Sequence, residues 1–219
     1  MKLLAAKYKQ CFSDRYFVTS SSIAICVLIL SLFINFFAGT YANERASSPV
    51  TDLILSNIRV YNVGGLFVYG SLILCAFIAA LCLAKPERIP FVAKSITMFV
   101  LIRSAFIVLT HIGPFPTHTV INPGSIINEF TFGGDLFFSG HTGLPFLMAL
   151  IFWDHDYLRE IFLILSVVFG AVVLMTHLHY SIDVLAAFFI TYSIHHINQT
   201  FFKKDFEIFQ NGLRRNELK

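Results

Sequence analysis

The chain has 219 residues, of which 56% are hydrophobic and 13% are charged, and its formal net charge is +3. Soluble domains carry roughly 25% charged residues, so this composition excludes an ordinary soluble globule and indicates a membrane protein. The small positive charge comes from residues that flank apolar stretches, and nothing resembles a nucleic-acid-binding module.

Six apolar stretches are candidates for membrane-spanning helices. The first, residues 17–38, contains 22 residues without a charge, enough for a helix to cross a hydrocarbon layer about 30 Å thick. It also has the outline of a signal peptide, but its apolar run exceeds the roughly 7–15 residues of a signal core. We therefore expect a retained anchor. The other candidate spans are residues 65–84, 90–111, about 136–153, 160–177 and 182–199.

These stretches predict an all-α fold, a six-transmembrane-helix integral membrane bundle that forms one domain over residues 1–219. Cytoplasmic flanks of membrane proteins are enriched in Lys and Arg. Thirteen of the sixteen Lys and Arg residues fall on one side of the predicted topology, and only Arg45 and Arg59 fall on the other. This asymmetry predicts cytoplasmic tails at 1–16 and 200–219. The connection 112–135 then lies on the outer, periplasmic, lumenal or extracellular face.

Neither cysteine nor histidine spacing predicts a metal centre. Three cysteines lie in predicted spans and one lies in the N-terminal arm, so we expect no disulfide. His177 and His179 have no carboxylates or thiols at matching spacing, so we expect no metal ion and no cofactor. We interpret His177 as structural, because two residues along a helix it points to a different face from His179.

Several polar residues are predicted to lie at the outer ends of the spans. The fourth span begins at the Ser-Gly-His sequence 139–141, and the fifth ends at the His-Leu-His sequence 177–179. The sixth begins at the Ser-Ile-Asp sequence 181–183, and Arg103 lies in the outer half of the third span. Four separated polar positions therefore converge on one membrane face.

The residue types at these positions fit a phosphate site. Asp183 follows His179 by four residues, which places both on one helical face, where the carboxylate can accept the Nδ1 proton and leave Nε2 free. Ser139 suits an N-cap, and the helix start behind it offers backbone N–H groups to an anion. Arg103 is a functional candidate because an unpartnered intramembrane Arg is costly. With His141, the pattern indicates a phosphate site that has two histidines and a carboxylate.

The two histidines lie in the motifs Gly134-Asp135-x3-Ser139-Gly140-His141-Thr142 and His179-Tyr180-Ser181-x-Asp183-Val184. These motifs resemble the signatures of the sphingomyelin synthase family, a branch of the type-2 phosphatidic acid phosphatase superfamily. The stretch 103–110, followed by prolines at 114 and 116, is also similar to that family's third span. The resemblance covers roughly residues 95–192, which we take as the catalytic core.

The sequence departs from the phosphatase branch of this superfamily. Phe138 stands where those enzymes have Pro, Val173 stands where they have Arg, and their Lys-x6-Arg-Pro motif does not occur. A site with one candidate cation suits a monoanionic phosphodiester better than a dianionic phosphate monoester. Gly133 and Ser181 replace a Cys and a Thr of the eukaryotic synthases, and their early motif is represented only by residues 49–52.

The resemblance implies head-group transfer in two steps through a phospho-histidine. His179 Nε2 attacks the phosphorus of phosphatidylcholine or phosphatidylethanolamine while Asp183 orients its ring. His141 protonates the departing diacylglycerol and then accepts a proton from ceramide, another lipid alcohol or water. The catalytic candidates are thus His141, His179 and Asp183. The substrate-binding candidates are Arg103, Asp135, Ser139, Gly140 and Tyr180.

Two alternative functions use the same residues. If water is the acceptor, the protein is a lipid phosphatase or a phospholipase C-type hydrolase. If the polar cluster does no chemistry, the protein is a lipid-binding or transport protein. The motifs do not distinguish water from ceramide.

Overall fold

The computed structural model describes residues 2–119 and 137–213, and within these residues the chain is helical and has no strand. The predicted all-α class is therefore confirmed. A 3₁₀ turn covers Pro86–Arg88. The helices are α1 (Lys2–Ser13), α2 (Arg15–Glu44), α3 (Gly64–Ala84), α4 (Ile89–Leu109), α5 (Gly140–Ile151), α6 (Asp156–Met175), α7 (Ser181–Phe201) and α8 (Lys203–Asn211).

Four of the described helical segments are long and apolar enough to cross a membrane. They are α2, α3, α6 and the segment Pro86–Leu109, which joins the 3₁₀ turn to α4. Helix α5 has 12 residues, so it is only about 18 Å long. Helix α7 has 21 residues but carries several polar residues in its second half. The structure therefore supports a multi-pass membrane protein, and the count of six spans stays a prediction.

Helix α2 packs along α4 through small side chains. Asp14 caps its start by accepting a hydrogen bond from the Phe17 N–H at 2.7 Å. Small residues at a helix interface let two backbones approach closely inside a membrane. The opposite face of α2 carries exposed leucine, isoleucine and phenylalanine side chains, as expected for contact with lipid. The buried small residues of α2 are Ser20, Ala24, Ser31, Ala38, Gly39 and Ala42.

An aromatic core holds α5 between α4, α6 and α7. Phe99 and Phe138 meet edge to face, and Phe152 stacks on Phe162. A Cβ at Gly143 would lie 2.7 Å from the Phe99 ring and 2.9 Å from the Thr191 hydroxyl. The close approach of α5 to α4 and α7 therefore requires a glycine at this position.

Helices α1 and α8 pack at the end of the bundle that we call the terminal end. There, Lys94 forms a 2.6 Å ion pair with Asp205 and donates a 2.8 Å hydrogen bond to Ser20. Ser20 and Tyr16 also donate to the Asp205 carboxylate. This network joins α2, α4 and α8, and it gives the charge of Lys94 in the third predicted span a buried partner.

Candidate active site

The starts of α5 and α7 lie side by side, although the two motifs are far apart in sequence. The Ser139 N–H donates a hydrogen bond to the Asp183 carbonyl oxygen at 3.1 Å. Ser139 is also the N-cap of α5, and its hydroxyl accepts from the Thr142 N–H. Helix N-termini carry partial positive charge and unpaired N–H groups. Two such helix starts therefore meet at one end of the bundle, opposite the terminal end.

His179 and Asp183 form a buried pair at the start of α7. The His179 Nδ1 lies 3.6 Å from the Asp183 Oδ2, and both side chains are buried. This separation is longer than a hydrogen bond, in contrast to the direct bond that the spacing predicts. Asp183 Oδ2 instead accepts a 2.9 Å hydrogen bond from the Tyr180 N–H and so caps α7. The carboxylate thus acts on the imidazole as a nearby negative charge.

Arg103 reaches the start of α5 from α4. Its Nε donates to the Phe138 carbonyl at 3.0 Å, and its Nη1 donates to the Asn35 side-chain oxygen on α2 at 3.4 Å. A Cβ at Gly140 would lie 3.0 Å from the Arg103 Nε. Because Gly140 has no side chain, the buried guanidinium lies directly against the first residue of α5.

His141 lies in the same cluster, one residue further along α5. Its imidazole stacks on the Phe67 ring of α3, with ring centroids 3.9 Å apart. The ring interacts electrostatically with both His179 and Arg103. The structure therefore brings Arg103, Ser139, His141 and the His179–Asp183 pair together at one end of the bundle. Such a set offers a nucleophile, a proton carrier and a cation for a phosphoryl group.

Tyr180 faces the connecting loops and is enclosed by them. Its hydroxyl donates to the Gly113 carbonyl at 2.8 Å and accepts from the Val50 N–H at 3.2 Å. The residue is 1% exposed, and burial raises the pKa of the Tyr180 phenol. These contacts make Tyr180 a positioning residue for the first turn of α7, and its predicted role in substrate binding stays a prediction.

Asp52 is a positioning residue to which the sequence assigned no role. Its Oδ2 accepts hydrogen bonds from the Ser181 N–H at 2.7 Å and from the Ser181 hydroxyl at 2.8 Å. Its Oδ1 accepts from the N–H groups of Ile54 and Leu55. Burial favours a higher pKa for Asp52, but these hydrogen bonds outweigh it and lower the pKa. The loop between α2 and α3 is thereby tied to the first turn of α7. In the sequence, the feature that pointed to Asp52 was the segment 49–52, which represents the early motif of the synthases.

Replacing Asp52 with asparagine is expected to destabilise the protein by about 1–3 kcal/mol, because an amide cannot accept all four hydrogen bonds. A folded-state pKa below the unfolded value means that the stabilisation is present at neutral pH and is lost as pH falls through the folded pKa. The difference in melting temperature between wild type and Asp52→Asn, measured in detergent, should therefore narrow below about pH 4.

The matched variant is Ser181→Ala, which removes one of the four bonds and should cause a smaller loss. Equal melting temperatures for wild type and Asp52→Asn at pH 7 would contradict the positioning role.

Two further residues of the site were missed from the sequence. Asn35, which accepts from both Arg103 and Ser104, was visible as a lone amide in the first apolar span. Phe67, which stacks on His141, carried no signal that separated it from the other phenylalanines. Both contacts join side chains of different helices, so they depend on how the helices pack and not on local sequence.

His177 lies two residues beyond the end of α6, and its ring meets the Phe115 ring edge to face. Its φ of 56° is left-handed, and the Leu178 N–H bonds back to the Val173 carbonyl, a common helix-terminating arrangement. Its Nδ1 lies 2.7 Å from the Thr117 hydroxyl. These contacts join the end of α6 to the loop formed by residues 111–119.

Asp135, the remaining substrate-binding candidate, lies outside the described residues. Within residues 2–119 and 137–213, no group of three His, Cys, Asp or Glu side chains is arranged to hold a metal ion.

Comparison with known proteins gives a family match for part of the chain. No curated protein and no solved structure matches the chain. Residues 133–200 match the family model described as PAP2 superfamily C-terminal, and this segment contains both histidine motifs. The matched segment, about a third of the chain, is therefore similar to the C-terminal part of PAP2 superfamily proteins.

Proposed function

We propose that the protein is a phospholipid head-group phosphotransferase of the sphingomyelin synthase type. It would transfer phosphocholine, or phosphoethanolamine, from a glycerophospholipid to a lipid alcohol such as ceramide. The observation that carries the proposal is the hydrogen bond between the Ser139 N–H and the Asp183 carbonyl. This bond docks the helix start that carries His141 against the helix start that follows His179.

The first step forms a phospho-histidine. The His179 Nε2 lone pair attacks phosphorus, the phosphorus–oxygen bond to diacylglycerol breaks, and His141 donates a proton to the departing oxygen. The negative charge of Asp183 near the ring stabilises the positive charge that develops on His179. The anionic phosphodiester favours the protonated form of His141, since it brings an opposite charge into a buried site.

The second step releases the product. The acceptor hydroxyl attacks phosphorus, His141 takes the hydroxyl proton, and the phosphorus–nitrogen bond to His179 breaks. Arg103 and the N–H groups at Gly140 hold the phosphoryl oxygens in both steps, with Ser139 shaping the helix start. Asp135 either orients His141 or approaches a cationic head group. The single arginine of the described cluster suits the one negative charge of a phosphodiester.

We further propose that the chain crosses the membrane six times, with both termini in the cytoplasm and the active site on the outer face. The Lys and Arg distribution supports this orientation. The candidate site and the terminal end, which carries α1 and α8, lie at opposite ends of α4. A site near an outer helix end has access to lipids of the outer leaflet.

The test is an assay of membranes that contain the protein, supplied with fluorescent ceramide and phosphatidylcholine or phosphatidylethanolamine. We expect labelled sphingomyelin or labelled ceramide phosphoethanolamine, and neither product with His179→Ala. Release of free phosphocholine without a labelled product would show that the protein is a hydrolase and not a transferase. No turnover of either kind would support the lipid-binding or transport alternative and overturn the enzymatic proposal.

A further inference from the structure

A cavity of about 410 Å³ lies at the terminal end of the bundle, between α1, the 3₁₀ turn, the start of α6 and the end of α8. The residues that line it include three cations, Lys7, Lys85 and Arg88, together with Glu87 and His155. Arg88 and Arg103 lie fifteen residues apart on one helical segment, a rise of roughly 22 Å. The cavity is therefore distinct from the candidate active site.

Arg88 is a buried cation without an acidic partner. It is 5% exposed, and its guanidinium donates to the Leu81 carbonyl at 3.4 Å and to the His155 Nε2 at 3.2 Å. It also stacks over the Phe152 ring. Within the described residues, no carboxylate lies within ion-pair distance of Arg88. A buried charge is costly unless an opposite charge compensates it.

The neighbouring charges leave this cavity positive. Glu87, next to Arg88 in sequence, accepts from Lys7 at 3.3 Å, so these two charges offset each other. Lys85, which is exposed, adds a second cation to that of Arg88. His155 accepts a hydrogen bond from Arg88, and burial together with the charges of Arg88 and Lys85 lowers the pKa of His155. A neutral His155 leaves the two cations as the dominant charges facing the space.

We propose that this terminal-end cavity binds a phosphate group, and that Arg88 and Lys85 supply the charge that holds it. Arg88 is already oriented by Phe152 and His155, so it offers fixed donors to the oxygens of an anion. The phosphate belongs either to the head group of an anionic lipid or to a free phosphate in solution. An anionic cytoplasmic leaflet would supply the first source if the terminal end faces the cytoplasm.

The test uses the purified full-length protein in detergent and measures its melting temperature with three probes. These are inorganic phosphate, dihexanoyl phosphatidylglycerol and, as the zwitterionic control, dihexanoyl phosphatidylcholine. We expect a concentration-dependent rise with at least one anionic probe, and this rise should weaken in Arg88→Gln. The zwitterionic lipid is the proposed donor, so any rise that it causes comes from the active site and should be the same in wild type and Arg88→Gln. A rise in melting temperature with inorganic phosphate and not with phosphatidylglycerol would show that the cavity binds a free phosphate ion. A response restricted to phosphatidylglycerol identifies the lipid head group.

The variants assign the response to this cavity. Arg88→Gln should weaken the apparent affinity at least about tenfold, because it removes a buried charge. Lys85→Glu changes an exposed side chain, so it should also weaken the affinity without disturbing the core. Lys204→Gln is the matched control, since Lys204 lies over the Tyr16 ring and lines a different cavity at the same end.

Three results would overturn the inference. They are no response of wild type to either anionic probe, an unchanged response in both Lys85→Glu and Arg88→Gln, and loss of the response in His179→Ala. The last result would place the anion at the candidate active site. A positive result does not depend on the proposed transferase, because His179→Ala is expected to retain the response while losing all turnover.

Discussion

Replacing His179 with alanine is expected to lower phosphoryl transfer at least about a thousandfold, because the variant lacks the atom that bonds to phosphorus. No other described imidazole occupies this position: His141 lies on α5 and stacks on Phe67. Trapping with a donor labelled at phosphorus should show an acid-labile phospho-enzyme in wild type and none in His179→Ala. Asp183→Asn should retain the nucleophile and lose about ten- to a hundredfold in kcat.

The control for this experiment is His196→Ala. His196 lies on the same helix, α7, but it is exposed and lines a cavity near α8. This variant should keep wild-type activity and trap the same phospho-enzyme. Unchanged labelling in His179→Ala, with a melting temperature equal to that of wild type, would mean that another residue is the nucleophile.

Replacing Arg103 with glutamine is expected to lower kcat/KM by about a hundred- to a thousandfold, the usual effect of removing one preorganised donor to a transition-state oxygen. Arg103 is the described cation that lies against Gly140 at the start of α5. Arg103→Lys keeps the charge but loses the fork of donors that contacts Phe138 and Asn35. It should therefore recover only part of the activity.

Two measurements separate chemistry from folding for Arg103. Arg45→Gln, at an exposed arginine near the same end of the bundle, should leave activity unchanged. The phospho-enzyme should form more slowly in Arg103→Gln at saturating donor, which a purely structural loss of active molecules would not produce. Full activity in Arg103→Gln would show that Arg103 has no role in the active site.

The helical class and the local features of the site were predictable from sequence, because both depend on residues close together in the chain. Apolar runs of sufficient length predict helices, and a Ser before Gly140 predicts an N-cap, which the structure shows. The four-residue spacing predicts that His179 and Asp183 share a face. Which hydrogen bond Asp183 makes was not decided by spacing, because the Tyr180 N–H competes for the same oxygen.

The shorter helices show why span counting is less secure than helix prediction. The fourth apolar stretch predicts a helix over about 136–153, whereas α5 covers only Gly140–Ile151. Helix α7 combines a polar, functional start with polar residues near its end, so composition does not separate a membrane span from a buried helix. Hydropathy averages the polarity of all side chains in a helix. It therefore does not separate a lipid-facing helix from α5 and α7, which pack inside the described bundle.

The sequence by itself determined an all-helical, apolar protein with two histidine motifs and one intramembrane arginine, since these features are composition and local spacing. Only the tertiary structure decided how the motifs meet: Ser139 bonds to Asp183, and Asp52 holds Ser181 across 129 positions of the chain. It also decided that loops enclose Tyr180, and that Arg88 is buried without a carboxylate partner among the described residues. Such contacts join residues far apart in sequence, and their energies depend on burial and geometry that exist only after the helices have packed.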